Sequence, residues 1–250
     1  MSPPERHPYG PARSQFGELY LPAGEAGGAA GPPVAVVLHG GFWRAQYGRK
    51  LMRPLCADLA ARGWAAWNVE YRRLGRLSGG GFPRTLEDVA AAVDHLAALP
   101  HAALDLTRVV AIGHSAGGHL AAWLATREDA RVPVTGVIAQ AGVVDLRLAS
   151  ELRLSGGVVH RLLGGPPARV PERYAAASPA ERLPLGVPAL LVHGGRDAIV
   201  PPVMSERFAA AARGAGDTVD VDIDPAAGHF EHLDPASRLW AAATTWLEDR

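Results

Sequence analysis

The sequence predicts an α/β protein in which a mostly parallel sheet is covered by helices on both faces. Short runs rich in Val, Ile and Leu alternate along the chain with longer segments of helical periodicity. Several of the short runs are apolar throughout, as is typical of strands buried on both faces. Alternating strands and helices favour parallel strands with right-handed crossovers, and ligands of such sheets bind beyond the carboxyl ends of the strands.

Each predicted element has a pattern of its own. The strands are bounded by Gly or Pro, and the helices repeat apolar residues about every 3.6 positions, most clearly over 83–98. The predicted strands are 16–21, 34–39, 65–71, 109–113, 134–139, 189–193 and 219–223, and the predicted helices are 48–62, 83–98, 116–126, 202–212 and 235–248.

A single domain accounts for most of the chain. A length of 250 residues with 48% hydrophobic content suffices for one sizeable core. Residues 1–15 are Pro-rich and are interpreted as a flexible N-terminal arm, and residues 16–250 as one domain. Residues 143–187 break the strand–helix rhythm, so we expect a small cap or lid there. The alternative for this segment is a surface insertion without substrate contact.

Composition narrows the class of protein. The formal net charge is zero, which does not suggest a basic face for nucleic acid or an acidic membrane. No apolar run approaches the roughly 18 residues of a transmembrane helix, and the first residues lack a secretory-signal pattern. Cys56 is the only cysteine, so no intramolecular disulfide forms, and its apolar surroundings favour a buried side chain over a nucleophile. We expect a cytoplasmic protein.

A candidate nucleophile follows the fourth predicted strand. Residues 113–117 read G-x-S-x-G and lead directly into a predicted helix, the strand–turn–helix arrangement of the α/β-hydrolase fold. Small flanking residues permit the tight turn, which raises the Ser115 hydroxyl above the sheet. The turn also directs the N–H of Ala116 to the same place, where the helix N-terminus favours negative charge. The alternative is a structural Gly/Ser turn.

A serine hydroxyl needs an adjacent base and a carboxylate that orients the base. In the α/β-hydrolase fold these occur in the chain order Ser, Asp or Glu, His. Asp197 follows strand 189–193 and a glycine turn, and His229 follows the last strand. We predict that Asp197 is the acid and His229 the base. Asp145 and His232 stay open as competitors, and Asp197 could instead cap the following helix.

The remaining acidic and histidine clusters have simpler interpretations. The spacing of His229 and His232 suits zinc, but no third ligand is evident. An alternation of aspartates on the last strand is interpreted as the solvated face of an edge strand rather than a metal site. No metal and no cofactor are expected. The aspartates are Asp220, Asp222 and Asp224, and the histidines interpreted as structural or supporting are His95, His114, His119 and His193.

Acyl transfer also requires backbone N–H donors for the oxyanion of the tetrahedral intermediate. The second predicted strand runs into a loop whose glycines permit close approach of a substrate. We predict donors at Gly41, Phe42 and Ala116, with Gly40 as a further candidate. The alternative is a glycine turn that places Trp43 in the core.

The segment 39–43, His-Gly-Gly-Phe-Trp, resembles the HGGxW motif of kynurenine formamidases (arylformamidases). Residues 113–121 resemble the nucleophile segment of the same family, and residues 69–72 and 228–230 are also similar to that group and its esterase relatives. The resemblance covers the chain from about residue 30 to its end. HGG-type loops also occur in hormone-sensitive-lipase-like and feruloyl-type carboxylesterases.

The resemblance implies hydrolysis of an N-formyl aryl amide, notably N-formylkynurenine in tryptophan breakdown. A carboxylesterase for short or aromatic acyl esters uses the same residues and is the second hypothesis. The third is a non-catalytic protein of the same fold that binds a small molecule. The expected partner is an acyl amide or ester, without nucleic acid or membrane, and homodimer formation stays open. Trp43, Tyr71 and His114 are expected to contact the substrate, with core packing as the alternative for the two aromatic residues.

Overall fold

Eight strands form one sheet in the order β1-β2-β4-β3-β5-β6-β7-β8. A computed structural model describes residues 3–23, 31–99 and 103–249. Strands β3 to β8 are parallel, whereas β1 and β2 are antiparallel at one edge. The strands are β1 Glu5–Pro8, β2 Phe16–Tyr20, β3 Pro33–Leu38, β4 Ala65–Glu70, β5 Asp105–His114, β6 Gly136–Gln140, β7 Ala189–Gly194 and β8 Val219–Asp224.

Helices cover both faces of this sheet. Along β3, alternate residues enter opposite cores: Val36 packs in the core that includes α2 and α3, and Val37 in the core that includes α1 and α8. The helices are α1 Arg53–Ala61, α2 Arg84–Asp94, α3 Ala116–Ala125, α4 Leu146–Glu151, α5 Leu154–Leu163, α6 Pro171–Ala177, α7 Val203–Gly214 and α8 Arg238–Glu248. In the described ranges no helix combines the length and the apolar character needed to cross a membrane.

The seven predicted strands and five predicted helices are all present, with shifted ends. Strand β5 begins at Asp105, before its apolar run. The helix predicted over 48–62 divides into a 3-10 helix at Arg49–Met52 and helix α1, which has a proline in its first turn. The helix predicted over 83–98 ends in a 3-10 helix at His95–Ala98. Cys56 is buried in the core, as its apolar surroundings predicted.

The N-terminal segment differs from the flexible arm that the sequence predicted. Its residues 5–8 form strand β1, which pairs with β2 and covers an edge that would otherwise be unpaired. The Tyr9 hydroxyl donates to the Glu70 carbonyl at 2.6 Å, and the Gln15 amide donates to Asp88 at 2.7 Å. The first two residues of the predicted arm, and the last residue of the predicted domain, lie outside the described residues.

Helices α4 to α6 lie in the segment expected to form a cap. Two side chains of α3 donate to the end of α6: His119 to the Ala177 carbonyl at 2.8 Å, and Trp123 to the Ala176 carbonyl at 3.0 Å. The Arg44 guanidinium, in the loop after β3, donates to a carbonyl near the start of α5 at 2.9 Å. This segment is therefore tied both to the helix that follows the elbow and to the predicted oxyanion loop.

The docking of the N-terminal segment is testable at Tyr9. Substitution Tyr9→Phe removes the donor to the Glu70 carbonyl, and we expect the free energy of unfolding to fall by about 0.5–1.5 kcal/mol. Urea denaturation measures this change. The control is Tyr47→Phe, which alters a tyrosine that is 40% exposed and should leave stability nearly unchanged. Equal stability of Tyr9→Phe and the wild type would contradict a docked arm.

Candidate active site

Ser115 occupies the sharp turn between β5 and α3. Its φ of 56° is in the left-handed region, which is uncommon for a residue other than glycine. A Cβ at Gly113 would lie 2.0 Å from the Gly117 carbonyl oxygen, and a Cβ at Gly117 would lie 2.0 Å from the Leu38 carbonyl oxygen. Both glycines are therefore sterically required. The strand–turn–helix geometry predicted for this segment is present.

Hydrogen bonds hold the strained turn in place. The Ser115 N–H donates to the Gln140 carbonyl at 2.8 Å, and the Val143 N–H donates to the Ser115 carbonyl at 3.2 Å. The N–H of Ala116 opens α3, where first-turn donors have no partner within the helix. The turn therefore presents a hydroxyl and a free backbone donor at the same point.

Asp197 and His229 form a short, buried contact. Nδ1 of His229 lies 2.6 Å from Oδ2 of Asp197, and the other carboxylate oxygen accepts the N–H groups of Ile199 and Val200 at 2.8 and 2.9 Å. Because Nδ1 faces a carboxylate, it carries the proton, and Nε2 is left with the lone pair that a general base needs.

The charge of Asp197 is maintained despite its burial. Burial raises the pKa of this carboxyl, but hydrogen bonds from His193, His229 and the Val200 N–H outweigh it and hold the pKa well below its usual range. His193 also donates to the Val200 carbonyl at 2.8 Å and contacts the Ser205 hydroxyl at 2.7 Å. A buried histidine behind the carboxylate thus fixes it, consistent with the supporting role expected for His193.

His114 connects the elbow to the loop that carries His229. Its Nε2 lies 2.8 Å from the His229 carbonyl oxygen, and the two ring centroids are 4.7 Å apart. Because the acceptor is a carbonyl, Nε2 carries the proton. Burial and the neighbouring His229 lower the pKa of His114 to about 3, so the ring is a neutral donor at ordinary pH. This hydrogen bond makes His114 a candidate positioning residue for the loop of His229, and the expectation that it contacts the substrate stays a prediction.

The two competitors for the acid and the base have other surroundings. Asp145 caps α4 and accepts the N–H groups of Arg147 and Leu148 at 2.9 and 3.0 Å. His232 is buried, neither of its ring nitrogens has a partner within the described chain, and burial lowers its pKa to about 2. Of the four candidates, Asp197 and His229 alone pair as an acid and a base would.

The loop after β3 lies directly against the elbow. A Cβ at Gly40 would be 2.8 Å from the His114 carbonyl oxygen and 3.1 Å from the Ser115 Cβ, so only glycine fits there. Gly41, Phe42 and Trp43 follow with φ values of 106°, 50° and 55°. No backbone hydrogen bond of the described chain uses the N–H of Gly41 or Phe42. Both therefore remain candidate oxyanion donors.

Buried polar contacts support this loop from behind. His39 Nε2 lies 3.0 Å from Oε1 of Glu70, and the Tyr71 hydroxyl donates to the His39 carbonyl at 2.7 Å. The rings of His39 and Tyr71 stack at 4.3 Å. Burial raises the pKa of Glu70, but the hydrogen bond with His39, the nearby charge of Arg73 and the N–H of Arg49 together hold the pKa below its usual value.

The expectation that Trp43 and Tyr71 contact substrate does not match their placement. Both side chains have no exposed surface. Tyr71 is occupied with His39, and Trp43 packs edge-on against His119 with ring centroids 5.2 Å apart. Their burial is that of core residues that set the position of the loop, the alternative that the sequence left open.

Two aromatic residues that the sequence did not single out are exposed at the site. Phe230 is 62% exposed and packs edge-on against His229 with centroids 5.2 Å apart. Tyr47 covers Gly41 so closely that a Cβ there would lie 2.3 Å from the Tyr47 Cβ. Phe230 could have been predicted to lie at the site because it directly follows the predicted base. No feature of the sequence indicates that Tyr47 lies there.

Strand β8 is an edge strand and its aspartates are exposed or partly exposed, as predicted, but they also have partners on α8. Asp222 and Asp224 pair with Arg238 at 2.6 and 3.1 Å, and Asp220 accepts the indole N–H of Trp246 at 3.0 Å. Across the described residues, no group of three or more His, Cys, Asp or Glu side chains could hold a metal ion.

Comparison with known proteins supports an esterase family. The BD-FAE family model matches residues 18–211. Esterase LipQ of Mycobacterium tuberculosis is 27% identical over 224 residues, covering 84% of this chain and 52% of that protein. Esterase LipC of the same organism is 30% identical over 231 residues, covering 82% and 54%. The chain thus spans about half the length of the curated relatives it matches.

Solved structures confirm the predicted α/β-hydrolase fold. A truncated carbohydrate esterase from gut microbiota superposes with a TM-score of 0.81 at 20% identity, covering 98% of this chain and 94% of that one. The propionate-bound esterase Est2 of Thermogutta terrifontis has a TM-score of 0.74 at 26% identity, with coverages of 98% and 91%.

The role of His114 is testable with a matched pair of variants. His114→Gln places an amide N–H near the Nε2 position, whereas His114→Asn cannot reach the His229 carbonyl. An unsatisfied buried carbonyl costs about 1–3 kcal/mol, so we expect kcat/KM on an ester to fall about tenfold or more in the Asn variant. The Gln variant should retain most activity. Equal activity of the two variants, at matched thermal stability, would contradict the positioning role.

The buried His232 predicts a pH dependence of stability. In the folded protein the pKa of His232 is about 2, whereas in the unfolded chain it is near 6.5. Between these two pH values the unfolded chain carries one more proton on His232 than the folded protein does. Stability is therefore lost as pH falls below that unfolded value. In His232→Phe, we expect the loss between pH ~4 and ~6 to be smaller by about 1.4 kcal/mol per pH unit. Urea denaturation at several pH values measures this, and parallel curves for the two proteins would refute it.

Proposed function

Since this chain belongs to the BD-FAE family of α/β-hydrolase esterases, we propose that it is a serine carboxylesterase acting on short or aromatic acyl esters. One observation carries the proposal: the 2.6 Å contact between Asp197 and His229 is joined through His114 to the elbow at Ser115. A base that is oriented by a carboxylate next to a strained serine turn is the arrangement that acyl transfer requires.

In the first half of the proposed reaction, the Ser115 oxygen attacks the ester carbonyl and Nε2 of His229 accepts the hydroxyl proton. Asp197 remains ionised, holds the imidazole with its proton on Nδ1, and stabilises the imidazolium that forms. The N–H groups of Gly41, Phe42 and Ala116 hold the oxyanion, with Gly40 as a further candidate. Such donors are already in place before charge develops, so little reorganisation is needed.

The second half of the reaction repeats these roles with water. His229 first protonates the departing alcohol oxygen, and the acyl group stays on Ser115 as an ester. His229 then takes a proton from water, whose oxygen attacks the acyl carbonyl. When the second tetrahedral intermediate collapses, the bond between the acyl carbon and the Ser115 oxygen breaks, His229 gives its proton to that oxygen, and the carboxylic acid leaves. No step requires a metal or a cofactor.

The arylformamidase hypothesis is a finer proposal for the same residues. It rests on the resemblance of segment 39–43, and an N-formylkynurenine-type amide would undergo the same attack by Ser115. The relatives above carry esterase names, which favours an ester as the main substrate class. A purely binding role is disfavoured because Ser115, Asp197 and His229 are all retained.

The reaction is testable with purified protein and no added metal. We expect efficient turnover of p-nitrophenyl acetate, weaker turnover of N-formylkynurenine, and a loss of about 10⁴-fold or more in kcat for Ser115→Ala because the nucleophile is gone. A fluorophosphonate probe should label wild type at Ser115 only. Ser14→Ala, a serine of the N-terminal segment, is the matched control and should keep full activity.

The outcomes separate the hypotheses. Faster turnover of the formamide than of the ester, abolished in Ser115→Ala, would replace the carboxylesterase by the formamidase. Ester turnover that persists in Ser115→Ala, or wild-type protein that neither turns over substrate nor reacts with the probe, would overturn the serine hydrolase itself.

A further inference from the structure

We propose that a cleft lined by Arg13, Arg49 and Arg73 binds a phosphate-type oxyanion. The cleft encloses about 380 Å³ between the N-terminal segment, the start of β2 and the loop after β4. None of the three arginines takes part in the acyl transfer described above. The proposal therefore goes beyond the proposed function and does not rest on it.

The charge of the cleft is unbalanced. Its lining includes three guanidinium groups and a single carboxylate, Glu70. That carboxylate is already shared, because Oε1 lies 3.2 Å from Nη1 of Arg73 and 3.0 Å from Nε2 of His39. Arg49 is drawn mainly to Glu18, at 2.8 Å, and lies 3.8 Å from Glu70. An excess of positive charge in a concave site attracts an anion.

Hydrogen-bond donors in the cleft exceed the acceptors. The Nε atoms of Arg49 and Arg73 are buried and have no acceptor among the described residues. Arg13 is exposed and belongs to none of the ion pairs in the described ranges. Two hydroxyls, those of Ser14 and Ser78, line the same cleft. Those Nε atoms lie too deep for an anion in the cleft, but the Arg49 and Arg73 side chains are 18% and 15% exposed. Their exposed N–H groups, together with Arg13, are the donors that an oxyanion would pair with.

The donor set matches phosphate in particular. The planar fork of a guanidinium binds two oxygens of a phosphate at once, and arginine is the residue that suits this geometry. A carboxylate has only two oxygens, whereas the donors of three arginines and two hydroxyls can form hydrogen bonds to three or four oxygens of one ligand. The ligand class is therefore a phosphate group, either inorganic phosphate or a phosphate monoester.

The cleft adjoins the support of the candidate active site. Nη1 of Arg73 also donates to the carbonyl of Tyr47, the residue that covers Gly41. Glu70, on the same wall, contacts His39 at the start of the oxyanion loop. A bound anion would thus share its arginine with the residues that hold this loop in place.

The test is direct binding of inorganic phosphate to the full chain, measured by equilibrium dialysis at constant ionic strength without ester substrate. We expect saturable binding of one phosphate per chain. Arg13→Gln removes a charged donor that has no structural partner, so it should weaken affinity by about tenfold or more. Arg169→Gln, at an exposed arginine of the cap segment, is the matched control and should bind as wild type does.

Each result decides the proposal. Saturable binding that Arg13→Gln weakens supports the site, and tighter competition by phenyl phosphate than by inorganic phosphate identifies a monoester as the ligand. Absence of saturable binding, or equal affinity in Arg13→Gln and wild type, overturns it. Because no substrate is hydrolysed, failure here is distinct from failure of the carboxylesterase proposal.

Discussion

Two backbone segments, the loop after β3 and the turn after β5, approach each other so closely that side chains are excluded between them. A Cβ at Gly117 would lie 2.0 Å from the Leu38 carbonyl oxygen, and a Cβ at Gly40 would lie 2.8 Å from the His114 carbonyl oxygen. This contact follows from the parallel pairing of β3 with β5, which brings their carboxyl ends together. It places the candidate oxyanion donors beside Ser115 and leaves the left-handed turn at that serine no room to relax.

The protonation state of each buried polar group behind this contact depends on the groups that surround it. Asp197 is buried but keeps its charge because N–H donors surround it. At His114 and His232, burial outweighs the attraction of Asp197, lowers both pKa values and keeps the rings neutral. Four histidine rings thus lie near one carboxylate, and only the ring of His229 has its Nδ1 on it at 2.6 Å. The surroundings, rather than residue type, distinguish the proposed base from its neighbours.

The fold was predictable to the extent that local pattern determines it. Apolar runs and glycine turns identified seven strands, and G-x-S-x-G between a strand and a helix identified the elbow. Strand β1 was missed because Glu5–Pro8 has no apolar pattern, and its pairing depends on the free edge of β2. The hydrogen-bond partners of Tyr71 and His114 were not predictable for a similar reason, since contacts between residues 32 and 115 positions apart leave no local pattern in the sequence.

The glycines of the elbow and its loop also limit how this protein can diversify. A position where the next backbone is within 3 Å accepts no side chain at all, so substitution there removes the site instead of adjusting it. Under the proposed function, the places left for variation in substrate range are the exposed rings of Phe230 and Tyr47 and the segment that Arg44 ties to the loop. In evolutionary terms the reactive centre is inherited as one unit, and its rim is the part that selection can change.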